Sequence, residues 1–137
     1  MDLSKILSIS GKNGLFKLVN QGKNNVIVES LEDGKRMPAF SHDGIATLDN
    51  ISIFTYDDDV TLESVFQSIY KKENGAATPD FGNDGAKMRT YFEEILPNYD
   101  KERVYVSNIK KVYAWYNLLI KHNLIYLEAK QNEETEE

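Results

Sequence analysis

The sequence predicts an α+β chain, a small N-terminal β-barrel over residues 1–56 followed by a three-helix unit over residues 57–127. Three observations predict it. Up to Tyr56 the apolar residues fall in short β-branched and aromatic runs separated by Gly, Asn and Asp. Beyond Asp57-Asp58-Asp59 the apolar period changes from two to about 3.6. The chain of 137 residues, 41% hydrophobic and 11% aromatic, is long enough to build a real core.

The barrel is organised around residues 14–40, GLFKLVNQGKNNVIVESLEDGKRMPAF. Residues 15–19 and 26–31 read as strands, and NQGKNN between them reverses the chain because Gly22 and the asparagines accept positive φ. Asp33-Gly34 is the strongest short hairpin signal, with a third strand over 35–40. Pro38 has no N–H to give a ladder, so that strand belongs at an edge or a bulge. Apolar residues occupy both parities of these strands, which favours a curled sheet or barrel over a flat sheet with one wet face. Asp2 is expected to cap a short helix over 3–7, and after the turn at 41–44 the run ISIFT over 51–55 is the expected final barrel strand. Gly11-Lys12-Asn13-Gly14 resembles a phosphate-binding turn, but a strand follows it where such a loop needs a helix, so it reads as a plain turn.

The acidic triplet 57–59 marks the junction and precedes a helix capped by Thr61, with Leu62, Val65, Phe66, Ile69 and Tyr70 on one face. GAATPDFGND over 75–84 is a loop with Phe81 as its candidate anchor. Asp84 caps the second helix, whose stripe is Met88, Tyr91, Phe92, Ile95 and Leu96, and Pro97 stops it. Ser107 is the expected cap of the third helix. Its stripe of Ile109, Val112, Tyr113, Tyr116, Leu119 and Ile120 is widened by Trp115 and Leu118, so Trp115 is expected in the core. Asn123 and Leu124 read as a helix C-terminus, and 125–127 as a short docking piece.

Charge and composition narrow the function. The net charge of −6 is uneven: residues 1–56 carry six basic and six acidic side chains, 57–127 nine and eleven, and 128–137 one and five. The acidity is concentrated in a tail, expected to be a disordered acidic end. The near-neutral body lacks a bulk footprint for nucleic acid. With no cysteine there are no disulfides or thiolate sites, and a cytoplasmic address is the default. No apolar run reaches the length of about 20 residues that spans a bilayer, so no membrane association is expected.

Catalytic and metal constellations are absent from the sequence pattern. His42 in a turn and His122 at a helix end stand without motifs, Asp57-Asp58-Asp59 lacks calcium-loop spacing, and Glu93 and Glu94 point in different directions on a helix. No enzyme, cofactor or metal is expected. Two groups could bind a partner: Lys35, Arg36, Phe40 and His42 on the barrel rim, with Tyr56 near them, and Lys101, Arg103, Lys110 and Lys111 around the start of the third helix.

The runs ILSISGKNGLFKLV, VIVESLEDGKRMPAF, ISIFT and YFEEILPNYDKERVYVSNIKKVYAWYNLL, spanning about residues 2–127, resemble short Bacteroidota proteins known as domains of unknown function. The resemblance implies an SH3-like barrel joined to a small helical domain and brings no activity or ligand. The leading expectation is a non-catalytic adaptor that holds a protein or peptide partner at the barrel rim or the inter-domain groove. The alternative is nucleic-acid binding through the basic residues, which requires them to gather on one face.

Overall fold

The hairpins expected over 14–40 form, in a computed structural model that describes residues 3–12, 14–40, 43–122 and 124. The antiparallel strands β1 (Ile6–Ile9), β2 (Phe16–Gln21), β3 (Asn25–Ser30), β4 (Arg36–Phe40) and β5 (Ile45–Thr47) make one sheet in the order β4-β3-β2-β1-β5. The β2–β3 register slips between Leu18 and Asn20, which leaves Val19 out of the ladder and 37% exposed. Pro38 sits opposite Ile27 on the edge strand β4, where its missing N–H costs nothing.

The expected barrel is an open sheet. β4 and β5 are its two edges, and among the described residues no pairing joins them. β5 has only three residues and β4 carries Pro38, so neither offers a full row of ladder groups for closure. Leu7, Ile9, Phe16, Val28 and Ala39 from four successive strands nonetheless bury one common cluster.

Two local expectations change. The helix expected over 3–7 is a single 3-10 turn, Leu3–Lys5, followed directly by β1. Ile6 packs into the helical core while Leu7 and Ile9 face the sheet cluster, and this two-sided burial imitates helical spacing in the sequence. The run 51–55 is extended but lies outside the five-stranded sheet. Its β6 (Ser52–Ile53) pairs with β7 (Val60–Thr61), and Thr55 bridges Tyr99 in the helical half. Tyr56 N–H donates to the Asn98 carbonyl at 2.9 Å and Asp100 N–H to the Phe54 carbonyl at 3.0 Å. The acidic junction is thereby stitched to the segment before the last helix, and Asn98 Nδ2 donates to Asp57 Oδ2 at 2.7 Å.

Three helices follow: α1 (Leu62–Lys72), α2 (Gly85–Ile95) and α3 (Val106–Lys121). Thr61 and Asp84 cap the first two as expected, accepting from Ser64 N–H and Lys87 N–H. The cap of α3 falls two residues before the expected Ser107: it is Tyr105, whose N–H donates to Asn108 Oδ1 at 2.9 Å. α1 ends through Asn74 and Gly75, both at positive φ, with Gly75 N–H on the Tyr70 carbonyl. Leu124 folds back, its N–H donating to the Leu119 carbonyl at 2.9 Å. The expected loop over 75–84 is pinned at several points. Phe81 packs between the rings of Tyr91 and Tyr113, each centroid 5.3 Å away, while Tyr116 Oη donates to the Ala76 carbonyl and Thr78 N–H to Asn117 Oδ1.

The helical core does not stop at the junction. Leu3, Ile6, Leu15, Leu31 and Leu48 of the N-terminal part bury with Leu62, Phe66, Phe92, Tyr99, Ile109 and Tyr116 in one cluster. Readings that fall on Asp2, Asn123, the 125–127 piece and the 128–137 tail lie outside the described residues.

Candidate functional site

A concavity of about 840 Å³ lies where the sheet meets α3. One wall is the stripe Lys111, Ala114, Trp115, Leu118 and Lys121 along α3. These positions recur every three or four residues, so the helix turns them to one side next to its buried stripe. The opposite wall comes from the end of β1 and the following turn, with Ser8, Ile9, Gly11 and Lys12, and from Glu32 and Gly44. Gly14 at φ +79 brings the chain close to Glu32: a Cβ there would stand 2.7 Å from the Glu32 carboxylate.

Charge in this groove is unbalanced. Lys12, Lys111 and Lys121 face a single acidic side chain, Glu32, and none of the four has an ion-pair partner among the described residues. Between the lysines Ile9 is buried and Trp115 and Leu118 are half-buried, which supplies an apolar floor. Trp115, expected in the core, is instead on its margin, with Lys111 Nζ 6.0 Å from its ring centroid. Its departure has a simple cause. The core takes Ile109, Val112, Tyr113, Tyr116 and Leu119, and Trp115 falls beside that stripe where the helix turns toward the groove.

A second cavity of about 250 Å³ opens on the other side of Trp115, and Lys111 and Trp115 line both. A third, of about 210 Å³, lies over the 78–82 loop and is lined by Lys110.

The residues singled out in the sequence are dispersed. Lys35, Arg36 and Phe40 lie at or beside the edge strand β4, three strands away from β1, and Arg36 Nε is 3.0 Å from Glu29 Oε1. Phe40 is 37% exposed and His42 lies outside the described residues. Tyr56 is on the helical side, its hydroxyl accepting from Lys101 N–H at 3.1 Å. Lys101 Nζ is 2.7 Å from Glu93 Oε2, and this hydrogen bond raises the ammonium pKa. Arg103 Nε is 2.8 Å from Asp100 Oδ2 and its guanidinium lies 4.3 Å over the Phe54 ring. That contact with Arg103 is the main cause that lowers the Asp100 carboxyl pKa. Lys110 and Lys111 line different cavities. The fold therefore brings Arg103 and Lys111 together at the second cavity and gives three of the expected cations acidic partners of their own.

Sequence reasoning missed Lys12, Lys121 and Glu32. The helical half carried a signal in the three- and four-residue spacing of Lys111, Ala114, Trp115, Leu118 and Lys121, although Trp115 and Leu118 read as core in the sequence. The strand-side half carried none, because it meets α3 only in three dimensions. No group of His, Asp and Glu that could hold a metal ion exists among the described residues. No helix among them is long and apolar enough to cross a membrane.

A solution NMR structure of a Bacteroides vulgatus protein from a structural genomics consortium is similar to this chain. The TM-score is 0.70, with 41% identity over 91% of this chain and 90% of that one. The chain belongs to the same family of Bacteroidota proteins. Two family profiles divide the sequence of this member, Domain of unknown function (DUF5606) over residues 3–48 and Domain of unknown function (DUF6852) over residues 51–119. Among curated proteins none matches. In this family member the gap between the two profiles falls in the 3-10 turn Leu48–Asn50, whose Leu48 is fully buried in the shared core.

Proposed function

We propose that this protein is a non-catalytic cytoplasmic binding module whose sheet–helix groove holds an acidic segment of a protein partner. The five-stranded sheet is read as an open SH3-like fold, a scaffold of the kind that serves as a binding module. The observation that carries the proposal is the set of three lysines that have no acidic partner among the described residues, placed around a half-buried apolar floor. Lysines in that state attract carboxylates without first giving up an existing pair, and the floor adds apolar burial that an extended peptide backbone leaves free to its side chains. Nucleic acid is the less favoured occupant. A phosphate backbone demands a row of cations on one face, and Arg36, Lys101 and Arg103 are already paired.

Trp115 is the single tryptophan and lines the groove, so its fluorescence reports occupancy directly. Titration with poly-glutamate should give a saturable change that weakens as salt rises. Lys111→Glu with Lys121→Glu should weaken it about tenfold or more, whereas Lys35→Glu with Arg36→Glu should leave it unchanged. Tighter binding of poly-uridylate than of poly-glutamate would favour the nucleic-acid reading, and silence toward both would overturn the groove as a site for acidic ligands.

A further inference from the structure

The second cavity is the place where charge alone gives an incomplete account of the groove. Its inner wall is made of Ile53, Leu62, Val104 and Val112, all at most 7% exposed and all part of the shared core. Its rim is different in kind. Phe54 is 39% exposed beneath the Arg103 guanidinium, and Lys111 and Trp115 form the ridge that this cavity shares with the lysine groove. The apolar surface that this cavity leaves to solvent is therefore on its rim, at Phe54 and Trp115, above a floor that is already nearly sealed. The two hollows share Lys111 and Trp115 in their walls, and of the cations on the rim Arg103 is held by Asp100 while Lys111 favours an acidic approach.

Resting on the groove reading, we propose that this cavity is an anchor subsite that seats one large apolar side chain of the same acidic partner segment. The partner is thus a peptide segment whose carboxylates lie along Lys111, Lys121 and Lys12 and whose adjoining phenylalanine- or leucine-sized residue crosses the Trp115 ridge and enters between Ile53 and Val112. Carboxylates set the approach and the apolar side chain sets the affinity, because it is the group that leaves water completely. A cavity of about 250 Å³ accommodates one such side chain and excludes a folded element.

The test uses the full chain and two synthetic peptides of glutamate and serine, identical except that one carries a central phenylalanine and the other alanine. The phenylalanine peptide should bind about tenfold or more tightly, as burial of one large apolar side chain requires. Ser52 is exposed and lines the cavity, so Ser52→Trp should block the opening without touching the core and should abolish that difference while sparing the alanine peptide. Methyl NMR provides a measurement independent of any variant: Ile53, Val104 and Val112 resonances should move with the phenylalanine peptide and stay in place with the alanine one. Equal binding of the two peptides, both weakened by Lys111→Glu, would overturn the anchor subsite and leave the lysine groove standing. Absence of binding by either peptide would overturn both.

Discussion

Leu15→Ala asks whether the sheet and the helices unfold as one body. Leu15 precedes β2, is fully buried, and belongs to the cluster that contains Phe66, Phe92 and Tyr116 of the three helices. Truncation of a fully buried leucine costs about 2–5 kcal/mol, lost transfer energy plus the residual cavity, and about 3 kcal/mol is the central expectation. With a urea slope of about 1.5–2 kcal/mol per molar for a chain of this size, the midpoint should fall by about 1.5–2 M. The assay reads two probes. Trp115 fluorescence follows α3 in the helical half, and far-ultraviolet circular dichroism follows the whole chain. Both midpoints should fall together, although the substituted residue belongs to the N-terminal half. A Trp115 transition that stays at its wild-type midpoint while part of the dichroism is lost earlier would refute a shared core.

The buried tyrosines predict alkaline behaviour. Burial, the largest cause, pushes the hydroxyls of Tyr91, Tyr113 and Tyr116 above their ordinary value of 10.0, aided at Tyr91 by its hydrogen bond to Glu73. Their contribution is complete below pH 10.0 and is lost as pH rises through the elevated values, so tyrosinate absorbance from these residues should appear only together with loss of helical dichroism. Asp100 works in the other direction: its carboxyl is held below the ordinary 3.8, chiefly by Arg103, so its contribution is complete above that value and fades as pH falls through the lowered one. Asp100→Asn should flatten the acid limb of the stability profile, and an unchanged limb would contradict this. Phe81→Ala removes a half-buried ring from between Tyr91 and Tyr113; it should cost about 2 kcal/mol and speed amide exchange over 76–84 while α3 retains its protection. Unaltered exchange in that loop would show that Asn117 and Tyr116 suffice to hold it.

Local chemistry was legible and long-range pairing was not. Thr61 and Asp84 carry their capping role in a side chain adjacent to the helix they start, and Pro38 carries its edge preference in its own ring, so each could be read from a few neighbouring residues. The 51–55 run is the opposite case. The same alternation fits any antiparallel partner, and only the fold decides that Ile53 meets Val60 while Leu7 meets both Phe16 and Thr47. Trp115 shows the same limit on a helix: periodicity gives the direction of a side chain, but the depth of the neighbour on that side determines whether it is core or wall. Basic residues that are neighbours along the chain, such as Lys110 and Lys111, line different cavities in the fold. The groove instead unites Lys12 with Lys121 across more than a hundred residues.

The two open edges of the sheet, β4 and β5, have a consequence for life at high concentration. An uncapped strand is a template for another chain, and two such margins on one small sheet would invite linear stacking of copies. Here one margin is interrupted by Pro38 and carries the charged Arg36, while the other is only three residues long. The chain thus leaves its sheet open without offering a stretch long enough to recruit a neighbour's backbone. Replacing Pro38 by a β-branched residue would restore a donor to an exposed margin and remove one safeguard against self-association.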